Sequence, residues 1–293
     1  TTSARILVAG CCGQLGLCNT TKRKSSSYTD MFSSVNSFLG FDRGCIGNRE
    51  CLIIGQNEEN GNFVLHQVLS AAVKEKRPVC LVSFVQKFHH YNAVSLKTGV
   101  SLQSAAEAKQ LQFIDGLEEL VHTFFPETSE PVTNQEHFLD CMKEKLLKSL
   151  CCLKEQAHGE PVLVIDDISV FLSMGYHLDE AMVFFKALQE ALCFNVDASS
   201  HTQNGTTLVV LTSYDQHDRD TWSLWKFLTA LSSLDVNVTG LQTGYCKDVH
   251  GQACVTWRDS IDAPRQHATK TLQFKLTENG VEFFAAGTSS AVL

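Results

Sequence analysis

The sequence predicts an α/β fold, with a mainly parallel sheet flanked by helices and antiparallel hairpins toward the C-terminus. Short, continuously apolar segments recur along the chain, and strands without polar alternation are typical of a parallel sheet that is buried on both faces. Segments with helical spacing of apolar residues separate them. Near Val236 the pattern changes to short alternating segments joined by glycine turns. These three observations define the fold class.

The individual elements follow from local pattern. The apolar segments predict parallel strands at Cys51–Gly55, Val79–Val85, Leu111–Ile114, Pro161–Ile165 and Thr206–Leu211. Periodicity predicts helices at Phe63–Lys76, Thr133–Gln156 and Leu178–Phe194, the second opened by a capping box of Thr133 and Glu136. The Asn279-Gly280 pair predicts a hairpin between Leu272–Leu276 and Val281–Phe284. No linker divides residues 31–293, so we expect one domain there.

Residues 1–30 are interpreted as an N-terminal extension, weakly structured or an artefact of the assumed start of translation. The segment holds Gly10, Gly13 and Gly16 after an apolar run, a spacing similar to the phosphate turn of a dinucleotide-binding fold. Neither an amphipathic helix nor a second strand with a ribose-binding acid follows. A nicotinamide-dependent enzyme that uses these glycines is one of three functional hypotheses, and an N-terminal extension is the preferred interpretation of this segment.

Composition limits the partners. The 12 cysteines include no CxxC pair and no zinc-spaced cluster with histidine, which favours a reduced, intracellular protein without a metal site. The net charge of −8 argues against nucleic-acid binding by this chain alone, because phosphate neutralisation supplies most of that affinity. Any RNA contact would be local or shared with other subunits. No apolar stretch approaches the ~18 residues that span a membrane.

A loop at the end of the first strand has the position of a phosphate loop but not its residues. Such a loop needs GxxxxGK[ST], in which backbone amides and Lys bind phosphates and Ser/Thr holds Mg²⁺. In this chain Gly55 and Gly61 are one residue too far apart, Asn62 replaces Lys, and Phe63 replaces Ser/Thr. Two carboxylates in the loop, Glu58 and Glu59, would repel phosphate. The preferred interpretation is an ordinary strand–helix turn.

A second strand end carries Asp166 and Asp167 after four apolar residues, which resembles a Walker B strand whose Asp holds Mg²⁺. The preferred interpretation is that Asp167 caps the turn at Ile168–Met174. The alternative function is an NTPase with an unusual phosphate loop, in which Asp166 holds the metal and a Lys or Arg reaches in from elsewhere.

Other polar groups are weaker candidates. His89, His90 and Tyr91 follow the second predicted strand and could contact a ligand or partner, although a polar loop is the default interpretation. Another set could form an interface or touch RNA, or belong to a hairpin turn: Tyr245, Lys247 and His250. Trp222 and Trp225 are expected in the core or a subunit contact. No spacing indicates a nucleophilic catalytic group, and no catalytic residue, cofactor or metal is predicted.

Taken together, several stretches resemble the family of Elongator complex protein 6, over essentially residues 31–293. The stretches are Met31-Phe32, Phe88–Tyr91, Lys97–Leu102, Val162–Val170, Gly240–Gln252, Phe283–Gly287 and Ala291–Leu293. The resemblance implies a RecA-like ATPase fold without the usual ATPase motifs. It also implies an accessory role in a hexameric ring, two copies each of this chain and of Elongator subunits 4 and 5.

The same resemblance implies that the ring binds tRNA through a composite surface and supports 5-carboxymethyl-type modification of the wobble uridine by the remaining Elongator subunits. We therefore expect no ATPase activity of this chain by itself and no cofactor. A cytoplasmic location is expected, with the nucleus as a second one.

Overall fold

The structure is a computed structural model that describes residues 35–41, 50–124, 138–156, 159–194, 205–241, 244, 246–258, 268–277 and 280–286. Its strands are β1 Cys51–Asn57, β2 Val79–Ser83, β3 Leu111–Asp115, β4 Val162–Asp166, β5 Thr207–Ser213, β6 Leu234–Thr239, β7 Gly251–Trp257, β8 Ala268–Thr277 and β9 Gly280–Phe284. Within the described ranges these form one nine-stranded sheet in the order β3-β2-β4-β5-β1-β6-β7-β8-β9.

The helices alternate with the strands in the first part of the chain. They are α1 Asn62–Lys74, α2 Phe88–Lys97, α3 Leu102–Glu107, α4 Gly116–Phe124, α5 Phe138–Gln156, α6 Val170–Ser173, α7 Leu178–Gln189 and α8 Arg219–Ala230. A π-helical turn, Glu190–Phe194, extends α7, and residues 35–39 are also helical. None of the described helices is long and apolar enough to cross a membrane.

Strand direction confirms the predicted fold class. β3, β2, β4, β5, β1 and β6 run parallel to one another, whereas β6 to β9 pair antiparallel. Every residue of β2 and β4 is buried, as expected for strands covered on both faces. β8 and β9 form the predicted hairpin, with Thr277 opposite Gly280.

Two apolar clusters lie on opposite faces of the sheet. One includes Leu52 and Ile54 of β1 and packs beneath α1, α2, α3 and the helical residues 35–39. The other includes Ile53 of the same strand and packs beneath α4 to α8. Alternate residues of one strand therefore serve two helical layers, because successive side chains of a strand point to opposite faces.

The sequence interpretation missed several helices, among them α2, α4, α6 and α8. The default assignment of His89 to Tyr91 to a polar loop is wrong, since these residues form the first turn of α2. Only Tyr91 and Ser95 are buried on this helix, so its sequence carries little helical periodicity. The predicted capping box at Thr133 lies outside the described residues, as do residues 1–30 with their three glycines.

Candidate functional site

The carboxyl ends of three parallel strands meet at one edge of the sheet. β1 lies between β5 and β6, and β5 also pairs with β4. We define the strand-end site as residues 55–61, which end β1 and lead into α1 and are called the loop below, together with Ser213 at the end of β5 and the Asp166–Asp167 pair at the end of β4. Open parallel sheets bind ligands beyond such ends.

Gly55, the first glycine of the loop, is required by packing. A Cβ at this position would lie 2.5 Å from Cζ3, 2.6 Å from Cη2 and 2.8 Å from Cε3 of Trp225. The indole is held in place by Tyr214, whose ring stacks on it with centroids 5.1 Å apart and planes 5° apart. Gly55 thus allows α8 to pack closely on β1.

Two backbone amides at the N-terminus of α1 donate to side chains of the loop. The Gly61 N–H donates to Gln56 Oε1 at 3.0 Å, and the Asn62 N–H donates to Asn60 Oδ1 at 2.7 Å. The first N–H groups of a helix have no partner inside the helix, and in phosphate-binding proteins the ligand supplies one. Here two side-chain carbonyl oxygens of the same loop fill that role.

Gln56 also connects the loop to the end of β4. Its Nε2 donates to Ser213 Oγ at 2.8 Å, and Ser213 Oγ donates to Asp167 Oδ2 at 2.5 Å. The other oxygen of Asp167 accepts from the backbone N–H and the hydroxyl of Ser169, both at 2.8 Å. Asp167 therefore caps the turn that leads into α6, and a continuous chain of hydrogen bonds joins α1 to that turn.

Burial controls the charge of Asp167, which is 3% exposed. Desolvation raises the pKa of its carboxyl to about 6, although the hydrogen bonds from Ser213 and Ser169 lower it and the neighbouring Asp166 raises it. At neutral pH this carboxyl is ionised and can accept from all its donors.

Asp166 is engaged on the other face of the strand. The Tyr91 hydroxyl donates to Asp166 Oδ2 and lies 2.7 Å from Ser83 Oγ. Burial raises the pKa of Asp166, while the hydrogen bond from Tyr91 lowers it. Tyr91 is only 1% exposed, so this pair is an internal contact between α2 and the sheet.

Asn62 and Phe63 stand where a phosphate loop has Lys and Ser/Thr, and their side chains make contacts within the protein or lie partly buried. Asn62 Oδ1 is buried without a hydrogen-bond partner among the described residues. Phe63 packs against the rings of Phe274 and Phe283, with centroids 5.1 Å and 6.1 Å away. It anchors α1 to the antiparallel strands. Glu58 has φ 64°, and its Oε2 would be 2.8 Å from a Cβ on Gly240, so its carboxylate lies beside the end of β6.

Several contacts that a phosphate loop makes to a nucleotide and Mg²⁺ are used inside the chain here. The Gly61 and Asn62 amides already have acceptors, and no Lys stands at the position of Asn62. The carboxylates of Asp166 and Asp167 accept from side chains of the same chain. Within the described ranges, no group of three or more His, Cys, Asp or Glu could hold a metal ion.

The histidines near the second strand divide between surface and interior. His89 is exposed and His90 half-buried on α2, so these two remain surface candidates, whereas Tyr91 does not. His66 of α1 lies beside them, its ring centroid 6.0 Å from that of His90. Burial, with a smaller effect of His90, lowers the pKa of His66 to about 4, which keeps the ring neutral.

The later set of candidates belongs largely to a tight turn. Cys246 and Val249 form an isolated bridge, and His250 Nδ1 accepts the backbone N–H of Leu276 at 2.9 Å. Lys247 is exposed, while Tyr245 lies outside the described residues. His250 therefore has a structural contact to β8, and Lys247 is the exposed residue among the described members of this set.

Sequence reasoning missed Gln56 and Ser213. Gln56 directly follows Gly55, but its partner Ser213 is 157 residues away along the chain. One signal could have found the pair, since Ser213 follows a predicted parallel strand and such strand ends converge at one edge.

Comparisons with known proteins agree on one family. A family model described as Elongation complex protein 6 matches residues 32–278. Proteins named Elongator complex protein 6 from Rattus norvegicus, Homo sapiens and Danio rerio are 34%, 33% and 31% identical to this chain. Each alignment covers 90% of this chain and 100% of the relative.

Solved structures show the same fold at much lower identity. A KaiC-like protein from Pyrococcus horikoshii OT3 is 14% identical with a TM-score of 0.55, over 84% of this chain and 95% of that one. An uncharacterised protein from the same species is 12% identical with a TM-score of 0.56, over 85% and 96%. These likenesses make the fold RecA-like, of the KaiC type. With the family match over most of its length, the chain belongs to the Elongator complex protein 6 family.

Proposed function

We propose that the protein is a non-catalytic subunit of the Elongator complex. In this proposal it assembles with subunits 4 and 5 into a hexameric RecA-like ring with two copies of each, as a single domain of residues 31–293. The ring binds tRNA and supports 5-carboxymethyl-type modification of the wobble uridine. Membership of the Elongator complex protein 6 family and the RecA-like fold support this role.

One observation carries the non-catalytic part of the proposal. The amides that a phosphate would need, those of Gly61 and Asn62, donate instead to Gln56 and Asn60 of the same loop. The Walker B-like carboxylates are likewise used inside the chain. Catalysis of phosphoryl transfer depends on positioning and electrostatic stabilisation of the phosphates, and these amides and carboxylates make internal contacts instead, which supports a non-catalytic role.

The charge of the chain supports a shared tRNA surface. A net charge of −8 gives no general attraction to phosphate, so contacts with tRNA come from local groups combined with those of neighbouring subunits. Among the candidates, His89, His90 and Lys247 lie at the surface. The proposal places the assembled ring in the cytoplasm and the nucleus.

The assembly is tested by coexpressing the chain with subunits 4 and 5 and measuring native mass, with and without tRNA. We expect a particle of six chains, two of each kind, that gains the mass of tRNA. Coexpression with only one of the two partners is the matched control and should not yield that particle. A stable lone monomer in the presence of both partners would contradict the proposal.

The NTPase alternative is tested in the assembled ring with Asp166→Asn. The proposal expects the rate of ATP hydrolysis by the ring to stay the same, because Asp166 binds Tyr91 rather than a metal ion. A loss of hydrolysis with unchanged ring assembly would favour the alternative instead.

A further inference from the structure

Gln56 in the strand-end site accepts one hydrogen bond and donates another. Gln56 Oε1 accepts from the Gly61 N–H at the start of α1, and Gln56 Nε2 donates to Ser213 Oγ at the end of β5. A carboxamide offers both an acceptor and donors, whereas a carboxylate at neutral pH only accepts. The arrangement therefore uses both ends of this side chain.

Ser213 continues this series of hydrogen bonds from Gln56 to Asp167. The Ser213 hydroxyl has one proton, which it donates to Asp167 Oδ2, so Ser213 Oγ can only accept from Gln56. Asp167 receives two further hydrogen bonds from Ser169. Every donor in the chain thus points toward the buried carboxylate, and Gln56 links this chain to the N-terminus of α1.

We infer that Gln56 is an internal ligand of the loop between β1 and α1. Its carboxamide oxygen takes the place that a phosphate oxygen takes at a helix N-terminus, and its amide nitrogen fixes the loop to Ser213. The loop is therefore held closed against phosphate by a specific contact, beyond the loss of Lys and Ser/Thr. This goes beyond the proposed function, because it concerns the chain itself whether or not it enters a ring.

Amide hydrogen exchange of the full chain tests the contact to α1, with Asn60→Ala as the matched control for Gln56→Ala. Gln56→Ala should lower the protection of the Gly61 amide by about two- to tenfold, the equivalent of one net hydrogen bond. Asn60→Ala should instead lower the protection of the Asn62 amide, since Asn60 is its acceptor. Equal loss at both amides in both variants, or unchanged Gly61 protection in Gln56→Ala, would overturn the inference.

A double-mutant cycle tests the contact to Ser213. The unfolding equilibrium constants of Gln56→Ala, Ser213→Ala and the double variant should show a coupling of about two- to tenfold between the two positions. Asn60→Ala combined with Ser213→Ala should be additive within about twofold, because those side chains share no contact. Additivity in the first cycle would show that Gln56 does not join the loop to β5.

A phosphate titration completes the test. Inorganic phosphate added to the wild-type chain should leave the Gly61 amide resonance in place. A phosphate-dependent shift of this resonance in the wild type would show that the loop still admits the anion and would contradict the inference, while leaving ring assembly, and so the proposed function, untouched.

Discussion

Replacing Gly55 by Ala tests whether this glycine serves packing or phosphate binding. The new Cβ would lie 2.5 Å from Trp225 Cζ3, whereas two carbon atoms prefer roughly 3.5–4.0 Å. The indole would have to move by about 1 Å. It is 5% exposed and stacked on Tyr214, so it cannot move freely. We expect a loss of about 1–3 kcal/mol in the free energy of unfolding, typical of overpacking.

Gly61→Ala is the matched control in the same loop. Its Cβ would meet Ile54 Cγ2 at 3.3 Å and Val238 Cγ2 at 3.4 Å, and the backbone φ of −88° suits alanine. Alanine also lowers the conformational entropy of the unfolded chain relative to glycine, and this stabilising effect offsets the tight contacts. This variant should therefore stay within about 1 kcal/mol of the wild type.

Urea unfolding followed by circular dichroism measures both variants. Trp225→Leu supplies a second background, in which Gly55→Ala should cost less than about 1 kcal/mol because the clashing ring is gone. A working phosphate loop would make Gly61 the more sensitive glycine. If Gly61→Ala destabilises the protein more than Gly55→Ala, or Trp225→Leu does not relieve the cost, the packing explanation fails.

Three other changes probe the buried groups. Because burial raises the pKa of Asp167 from 3.8 to about 6, its contribution to stability is greatest below about pH 4 and is lost as the pH rises through 6. The free energy of unfolding of Asp167→Asn should therefore rise by about 3 kcal/mol relative to that of the wild type between pH 4 and 7.5, measured by urea unfolding at each pH. If the free energies of unfolding of the two proteins change with pH in the same way, this reasoning is wrong. Tyr91→Phe leaves the Asp166 carboxylate without its hydroxyl donor and should cost about 1–3 kcal/mol at pH 7, and an unchanged midpoint would refute the contact. Leu146→Ala in α5, at a side chain that is 0% exposed, should cost about 2–5 kcal/mol by thermal unfolding, whereas exposed Lys148→Ala should not.

The parallel strands could be predicted from sequence because their signal is local. β1, β2, β4 and β5 are runs of apolar residues, and a strand buried on both faces needs no partner to be recognised. Their observed bounds differ from the predicted ones by a few residues at the ends, where hydrogen bonding to neighbouring strands decides the length.

The missed helices show where the local signal ends. α2 buries Tyr91 and Ser95, and Tyr91 is kept inside by Asp166, 75 residues further along the chain. α8 carries the two tryptophans, and Trp225 faces Gly55 of β1. In both helices the contact that orders the segment comes from a distant part of the chain.

The sequence by itself determined the α/β order, the family, and the loss of Lys and Ser/Thr from the loop between β1 and α1, because each of these depends on residue type and short spacing. The tertiary structure decided what the loop does instead. It brings Ser213 to Gln56 and Trp225 to Gly55, and these contacts exist only because β5 and α8 pack beside β1. Parallel strands are joined through helices, so neighbours in the sheet are distant in the sequence.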